Sequence, residues 1–349
     1  MARGWWRARG PAEVTTADGS AAHVAVAPGA RAATLDTLLT QLRAPAVRDL
    51  AWLLLSADLL RAQPPAGVLA TPFDTRQEFE ATVAWLCALD AAPAPLQHDL
   101  TATRITRLGR YAERLLGWFL QNGPAARLIA AGVPLRHEGI TLGECDFLLQ
   151  TQRGARLHWE LAVKCYLHAG AGRGKLADYV GPNLKDRFDL KLAHVLNHQL
   201  PMSAREAFAS TGYAGPWTPQ MFIKGWLFYR HGETPLDPVE LDPAHGRGWW
   251  VTRNDWPGFA AGQACKWRTL PRLEWLAPRR YEQHEADVAD ASEQTLVDAD
   301  TLAAQTSHQH GPAMVVAFDE DSAGNLVERS RGFIVPDEWP EQAQAYARQ

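Results

Sequence analysis

The chain is poor in cysteine. Its 349 residues hold four, Cys87, Cys145, Cys165 and Cys265, and no two stand at CxxC spacing. That excludes a zinc knuckle or a disulfide framework as the organising device, and a reducing cytoplasm is the expected location. A surplus of charge is lacking too: 35 Lys and Arg against 39 Asp and Glu give a formal net charge of -4. A protein that coats nucleic acid indiscriminately carries a large basic excess, so any polyanion contact here must be local. Long apolar runs are also missing. The best one, LAWLLLSADLL at 50 to 60, contains Asp58 and is too short to cross a bilayer, and MARGWWRARGPAEV at the start lacks the apolar stretch of a secretory signal. No membrane partner is expected. Repeats are absent. The loop GAGRGK at 170 to 175 is not a P-loop, because Leu176 stands where Ser or Thr would bind magnesium. His194 and His198 are spaced i, i+4 without the glutamate or third ligand of a zinc-protease motif, so they read as surface histidines.

What is present divides into three units by periodicity. Residues 34 to 62 and 77 to 90 show helical spacing, interrupted near Pro45 and closed by AAPAPL at 91 to 96, which gives a helical N-terminal unit over 1–100. Residues 101 to 123 predict a long amphipathic helix ended by Asn122-Gly123. The period then changes from helical to two. Residues 140 to 168 predict two strands joined around Arg153-Gly154, followed by a glycine-rich loop, a helix over 184 to 200 and a strand over 221 to 230. These form a core unit, 101–230. The rest, 231–349, is a mixed Trp- and Pro-rich unit with an acidic helical stretch near 284 to 305 and a terminal hairpin over 313 to 335, turning at Ala323-Gly324-Asn325.

The stretch LHWELAVKCYLH, 157 to 168, raises the chemical question. His158, Glu160, Ala162 and Lys164 lie on one face, while Trp159, Leu161, Val163, Cys165 and Leu167 lie on the other. A half-exposed strand explains such alternation by itself. The company it keeps is more specific: a helix with Glu113, a strand with Glu144 and Asp146, a strand with Glu160 and Lys164, then helix and strand. That order resembles the PD-(D/E)XK phosphodiesterase superfamily, with an acid on the second strand and an acid-x-lysine on the third. Together with LGRYAERLL, TLGECDFLL, GPNLKDRFDLKL, GWW at 248 to 250 and RGFIVPDEWP, the chain resembles the bacterial Domain of Unknown Function 1853 family, over nearly its whole length. The resemblance implies a mixed-sheet α/β core of the restriction-endonuclease-like αβββαβ type. It also implies a nuclease that uses Mg2+ or Mn2+ to hydrolyse phosphodiesters. Asp146, Glu160 and Glu113, with Glu144 as a further ligand, would hold the cation, and Lys164 would position water or stabilise the phosphoryl charge. The sequence departs from the superfamily pattern at Ala162, which stands where the acid is usual. Glu160 is four residues before Lys164, about 13 Å along a strand, so both cannot crowd one cation unless the strand bends.

Basic residues flank this hairpin. Arg104, Arg107, Arg110 and Arg114 form a stripe at helical spacing, and Arg187 and Lys191 begin another; Arg173 and Lys175 sit in the glycine-rich loop. Each stripe reads as a solvated helix face or, beside the acids, as a set of phosphate contacts to nucleic acid. Two other classes of function remain open. One is an inactive nuclease-fold module that binds nucleic acid or regulates. The other is a protein-interaction module built on the Trp-rich C-terminal part, whose tryptophans otherwise serve packing.

Overall fold

A computed structural model describes residues 26–63, 67–170, 174–213, 215–263, 265–282 and 296–349. Five helices come first: α1 (Pro28–Gln41), α2 (Pro45–Leu55), α3 (Arg76–Ala91), α4 (Ala94–Thr101) and α5 (Leu108–Asn122). Each boundary has a local cause. Pro45 occupies the first turn of α2, where no amide donor is needed. Thr75 caps α3 by accepting from the Glu78 amide at 3.1 Å, while the Glu78 carboxylate accepts from the Thr75 amide at 3.1 Å. The long helix expected from 101 starts instead at Leu108, with Arg107 as its extended N-cap.

The strands β1 (Ala126–His137), β2 (Ile140–Thr151), β3 (Arg156–His168), β4 (Tyr179–Val180), β5 (Thr218–Arg230), β6 (Gly246–Thr252), β7 (Lys266–Thr269), β8 (Arg280–Tyr281), β9 (Ala313–Glu320) and β10 (Leu326–Val335) belong to one sheet. Its order is β1-β2-β3-β5-β6-β10-β9-β7, with β4 beside β3 and β8 beside β10. The protein is therefore mixed α/β. The sheet runs without a break across residue 230, because β5 pairs in parallel with both β3 and β6. Helices α6 (Phe188–His194), α7 (Trp256–Ala260), α8 (Ala299–Ser307) and α9 (Trp339–Ala347) complete the chain. Much of the acidic stretch near 284 to 305 lies outside the described residues, and its end is α8. No helix among the described residues is long and apolar enough to cross a membrane.

The expected hairpin of β2 and β3 is present, with Gly154 at φ +86° in its turn. Strand β1 was not anticipated: its alternation is broken by Gly132 at φ +60° and by two register shifts against β2. The two faces of β3 have different partners. Trp159, Leu161, Val163 and Cys165 pack with Leu115, Leu116 and Phe119 of α5 and with α2. Ala162 and Tyr166 pack with Phe188, Leu192 and Val195 of α6 and the turn that follows. Each such large side chain contributes about 1.5–3 kcal/mol of burial.

One feature of the sheet positions everything that follows. β2 and β3 pair only from Gln150↔Arg156 to Phe147↔Trp159. Past that point β2 continues with β1 to Ile140, while β3 continues with β5 to Leu167. The sheet forks, and the first residues beyond the last pair are Asp146 and Glu160.

Candidate active site at the sheet fork

At the mouth of the fork the Leu161 amide donates to Asp146 Oδ2 at 2.9 Å, a side chain taking the place of the missing strand carbonyl. Glu160, only 2% exposed, faces Asp146 within hydrogen-bond reach. Burial pushes the Asp146 carboxyl well above its usual range, and the charges of Glu160 and Glu113 add to the shift. Glu160 is raised as well, chiefly by burial. Two acids in one desolvated place cannot both ionise cheaply, so the pair retains a proton.

Glu160 is held from both sides. His158, fully buried, sets a ring nitrogen 2.6 Å from Glu160 Oε1, and its other nitrogen lies 3.0 Å from Ser203 Oγ. Burial depresses the His158 pKa to about 4, so this imidazole is neutral. Gln199 donates from Nε2 to Glu160 Oε2 at 2.5 Å, and its Oε1 accepts from Lys191 Nζ at 2.7 Å. The ammonium of Lys191 feels the fields of Asp146 and Glu160, yet burial and the nearby Lys164 leave its pKa lowered.

The expected site residues separate into three groups. Asp146 and Glu160 come together, and Glu113 approaches from α5, bound at 2.7 Å by Arg110, which also lies 3.7 Å from Glu144. Burial raises the Glu113 carboxyl as well. Lys164 stands apart: it pairs with Asp186, which also accepts from Tyr166 Oη at 3.2 Å. The basic stripes are not continuous. Arg104 and Arg107 precede α5 and are exposed, as is Arg110, whereas Arg114 is bound to Asp99 at 2.6 and 2.9 Å. Arg187 is clamped by Asp189 at 2.7 and 2.9 Å, and Lys191 turns inward to the acids. Lys175 is exposed, and Arg173 lies outside the described residues.

Sequence reading missed the positions of Lys191, Gln199, His158 and Asp186 in this network. The hairpin turn carried part of the signal, since its register sets Asp146 opposite Glu160 and hence beside His158. Nothing in the spacing shows that Lys191 and Gln199 reach the same acids, because α6 ends in a π-turn over Val195–Gln199 that moves Gln199 off the regular helical progression.

Residues 48–335 match the model of a domain of unknown function, DUF1853, and the chain belongs to that family. No curated protein and no solved structure matches it.

Proposed function

We propose that the chain is a divalent-cation-dependent phosphodiesterase acting on nucleic acid, with its site at the fork of the sheet. The observation that carries this reading is the meeting of half-buried Asp146 with buried Glu160 where β2 and β3 part, Glu160 facing Lys191 through Gln199. Support also comes from the fold. The elements α5, β1, β2, β3, α6 and β5 follow in that order, with the two-residue β4 inserted before α6 and with β5 parallel to β3, and this supports the αβββαβ core implied by the resemblance to PD-(D/E)XK enzymes.

The residues fit a cation. Two adjacent carboxyls with raised pKa values gain most from a nearby positive charge, and Asp146 and Glu160 offer oxygen donors of the kind Mg2+ or Mn2+ takes, whereas Glu113 is engaged by Arg110 and would have to move to join them. When bound, the ion would supply charge neutralisation at the phosphate and activation of water. The chain's own residues do the rest. Gln199 fixes the orientation of Glu160, because Lys191 donates to its oxygen and leaves its NH2 to donate to the carboxylate. Lys191 provides the positive group that Lys164, committed to Asp186, does not bring to the acids. The exposed Arg104, Arg107 and Arg110, near the entry to α5, suit the phosphate backbone of the substrate.

The test is incubation of the purified chain with labelled single- and double-stranded DNA and RNA in Mg2+ or Mn2+, with chelator controls. Cleavage that disappears in Asp146→Ala supports the reading. Its absence under every condition removes it. A second reading, a nuclease-fold module that binds without cutting, is favoured by Ala162, which lies in the apolar cluster with Tyr166 and Phe188 and leaves the acid-x-lysine pattern incomplete. Salt-dependent binding without cleavage would select it.

A further inference from the structure

Beside the acid pair lies a second convergence of donors that a magnesium site does not require. Cys145, His158 and Glu160 each point one ligand atom to a common place, and those atoms all lie within 4.8 Å of one another. None of the three is more than 2% exposed. The donors come from both strands at the fork: Cys145 lies on β2 just beyond the last β2–β3 pair, in the cluster that holds Leu148 and not the one that holds Phe147, and His158 and Glu160 lie on β3.

The surroundings of the trio orient it. Ser203 Oγ holds one nitrogen of His158, turning the other toward Glu160 Oε1 at 2.6 Å. Gln199 occupies Glu160 Oε2, leaving Oε1 as the inward atom. Polar partners of this kind, behind the ligand atoms rather than among them, are what fix imidazole and carboxylate ligands in metal sites. A buried thiol otherwise behaves as a small hydrophobe, and Cys145 does touch apolar neighbours such as Leu148 and Met202. Here it also faces an imidazole and a carboxylate.

We infer that Cys145, His158 and Glu160 bind a thiophilic divalent ion of the Zn2+ class. The chemistry of the donor set decides the class of ion. Sulfur and imidazole select zinc-like ions, whereas Mg2+ takes oxygen. Ligands at about 2.0–2.3 Å from a tetrahedral zinc lie roughly 3.4 Å apart. The His158–Glu160 contact, 2.6 Å, must therefore open by less than about 1 Å, and Cys145, within 4.8 Å of both, need close by no more than about 1.4 Å. The inference does not rest on the phosphodiesterase reading: the ion would bind whether or not the chain cleaves nucleic acid. If both hold, Glu160 is shared, and a zinc-class ion competes with or replaces the magnesium of the acid pair.

The experiment uses the full chain freed of metal by chelator and titrated with Co2+, a spectroscopic stand-in for Zn2+. One equivalent should bind with a thiolate-to-cobalt charge-transfer band in the near ultraviolet, and Zn2+ should displace it. Cys145→Ser should lose the band, while His158→Gln should weaken binding on the order of a hundredfold and Ser203→Ala about tenfold. Far-ultraviolet circular dichroism checks that each variant folds, and Cys145→Ala serves if Cys145→Ser does not. Asp146→Asn separates the two proposals: it removes cleavage if the fork is catalytic, yet it keeps the cobalt band. Three results overturn the inference. They are failure of the wild-type chain to bind Co2+ or Zn2+, a band that survives in Cys145→Ser and Cys145→Ala, and binding abolished by Asp146→Asn but untouched by loss of Cys145.

Discussion

Two of the regions in which this molecule buries charge do so in opposite ways. Between the N-terminal helices and the C-terminal half, Asp49 accepts from Arg279 at 2.7 Å, from the Ala277 amide at 3.0 Å and from Tyr111 Oη at 2.9 Å. Arg331 is bound by Glu328 at 2.5 and 2.8 Å and caps the carbonyls of Trp275, Leu276 and Ala277, while Arg48 reaches Leu39, Leu42 and Pro278. Each acid there meets a guanidinium. At the fork, acid meets acid, and the carboxyls of Asp146, Glu160 and Glu113 are all raised. A clamp of opposite charges holds segments more than 200 residues apart, as the Asp49–Arg279 pair does. A pair of like charges works against the fold, and such local conflict is what binding and catalytic sites tend to retain.

Breaking the clamp should have the largest effect on stability. Asp49→Ala leaves Arg279 buried without its partner and should cost about 3–5 kcal/mol, read as a fall in the urea midpoint. Lys191→Gln comes next. It keeps a polar side chain but removes the positive group at the acids, and should slow cleavage about a hundredfold with nucleic-acid affinity retained. Loss of binding in step with rate would instead make Lys191 a backbone contact, as its place in the sequence pattern first suggests. Replacing Arg104 and Arg107 together by Gln should act on binding alone, lowering the salt dependence by about one for each phosphate contact removed. An unchanged slope would free that edge of any role in substrate binding.

The clamp and the fork were not equally legible. The hairpin announced itself, because strict alternation over 157 to 168 and a turn at Arg153-Gly154 leave few other structures. Asp146 and Glu160 could be placed opposite one another on that basis. Strand β1 could not be read, since Gly132 and two register shifts disrupt the period of two. The stripe through Arg104 and Arg107 assumed a helix that starts too early; the chain between α4 and α5 is not helical there. The partners Asp49–Arg279, Lys164–Asp186 and Lys191–Gln199 are set by tertiary packing, and pattern within one segment carries no information about them. Ala162 leaves the acid-x-lysine spacing incomplete, and in the proposed site the positive group is Lys191, on another element.

The contrast between clamp and fork is tested most directly by urea unfolding of Asp146→Asn against the wild-type chain, both in chelator. Asn keeps an oxygen for the Leu161 amide and cannot ionise beside Glu160. The expected result is a rise in the urea midpoint with an unchanged denaturant slope. A fall in midpoint comparable to that of Asp49→Ala would contradict the account, because Asp146 would then be a structural residue like those of the clamp.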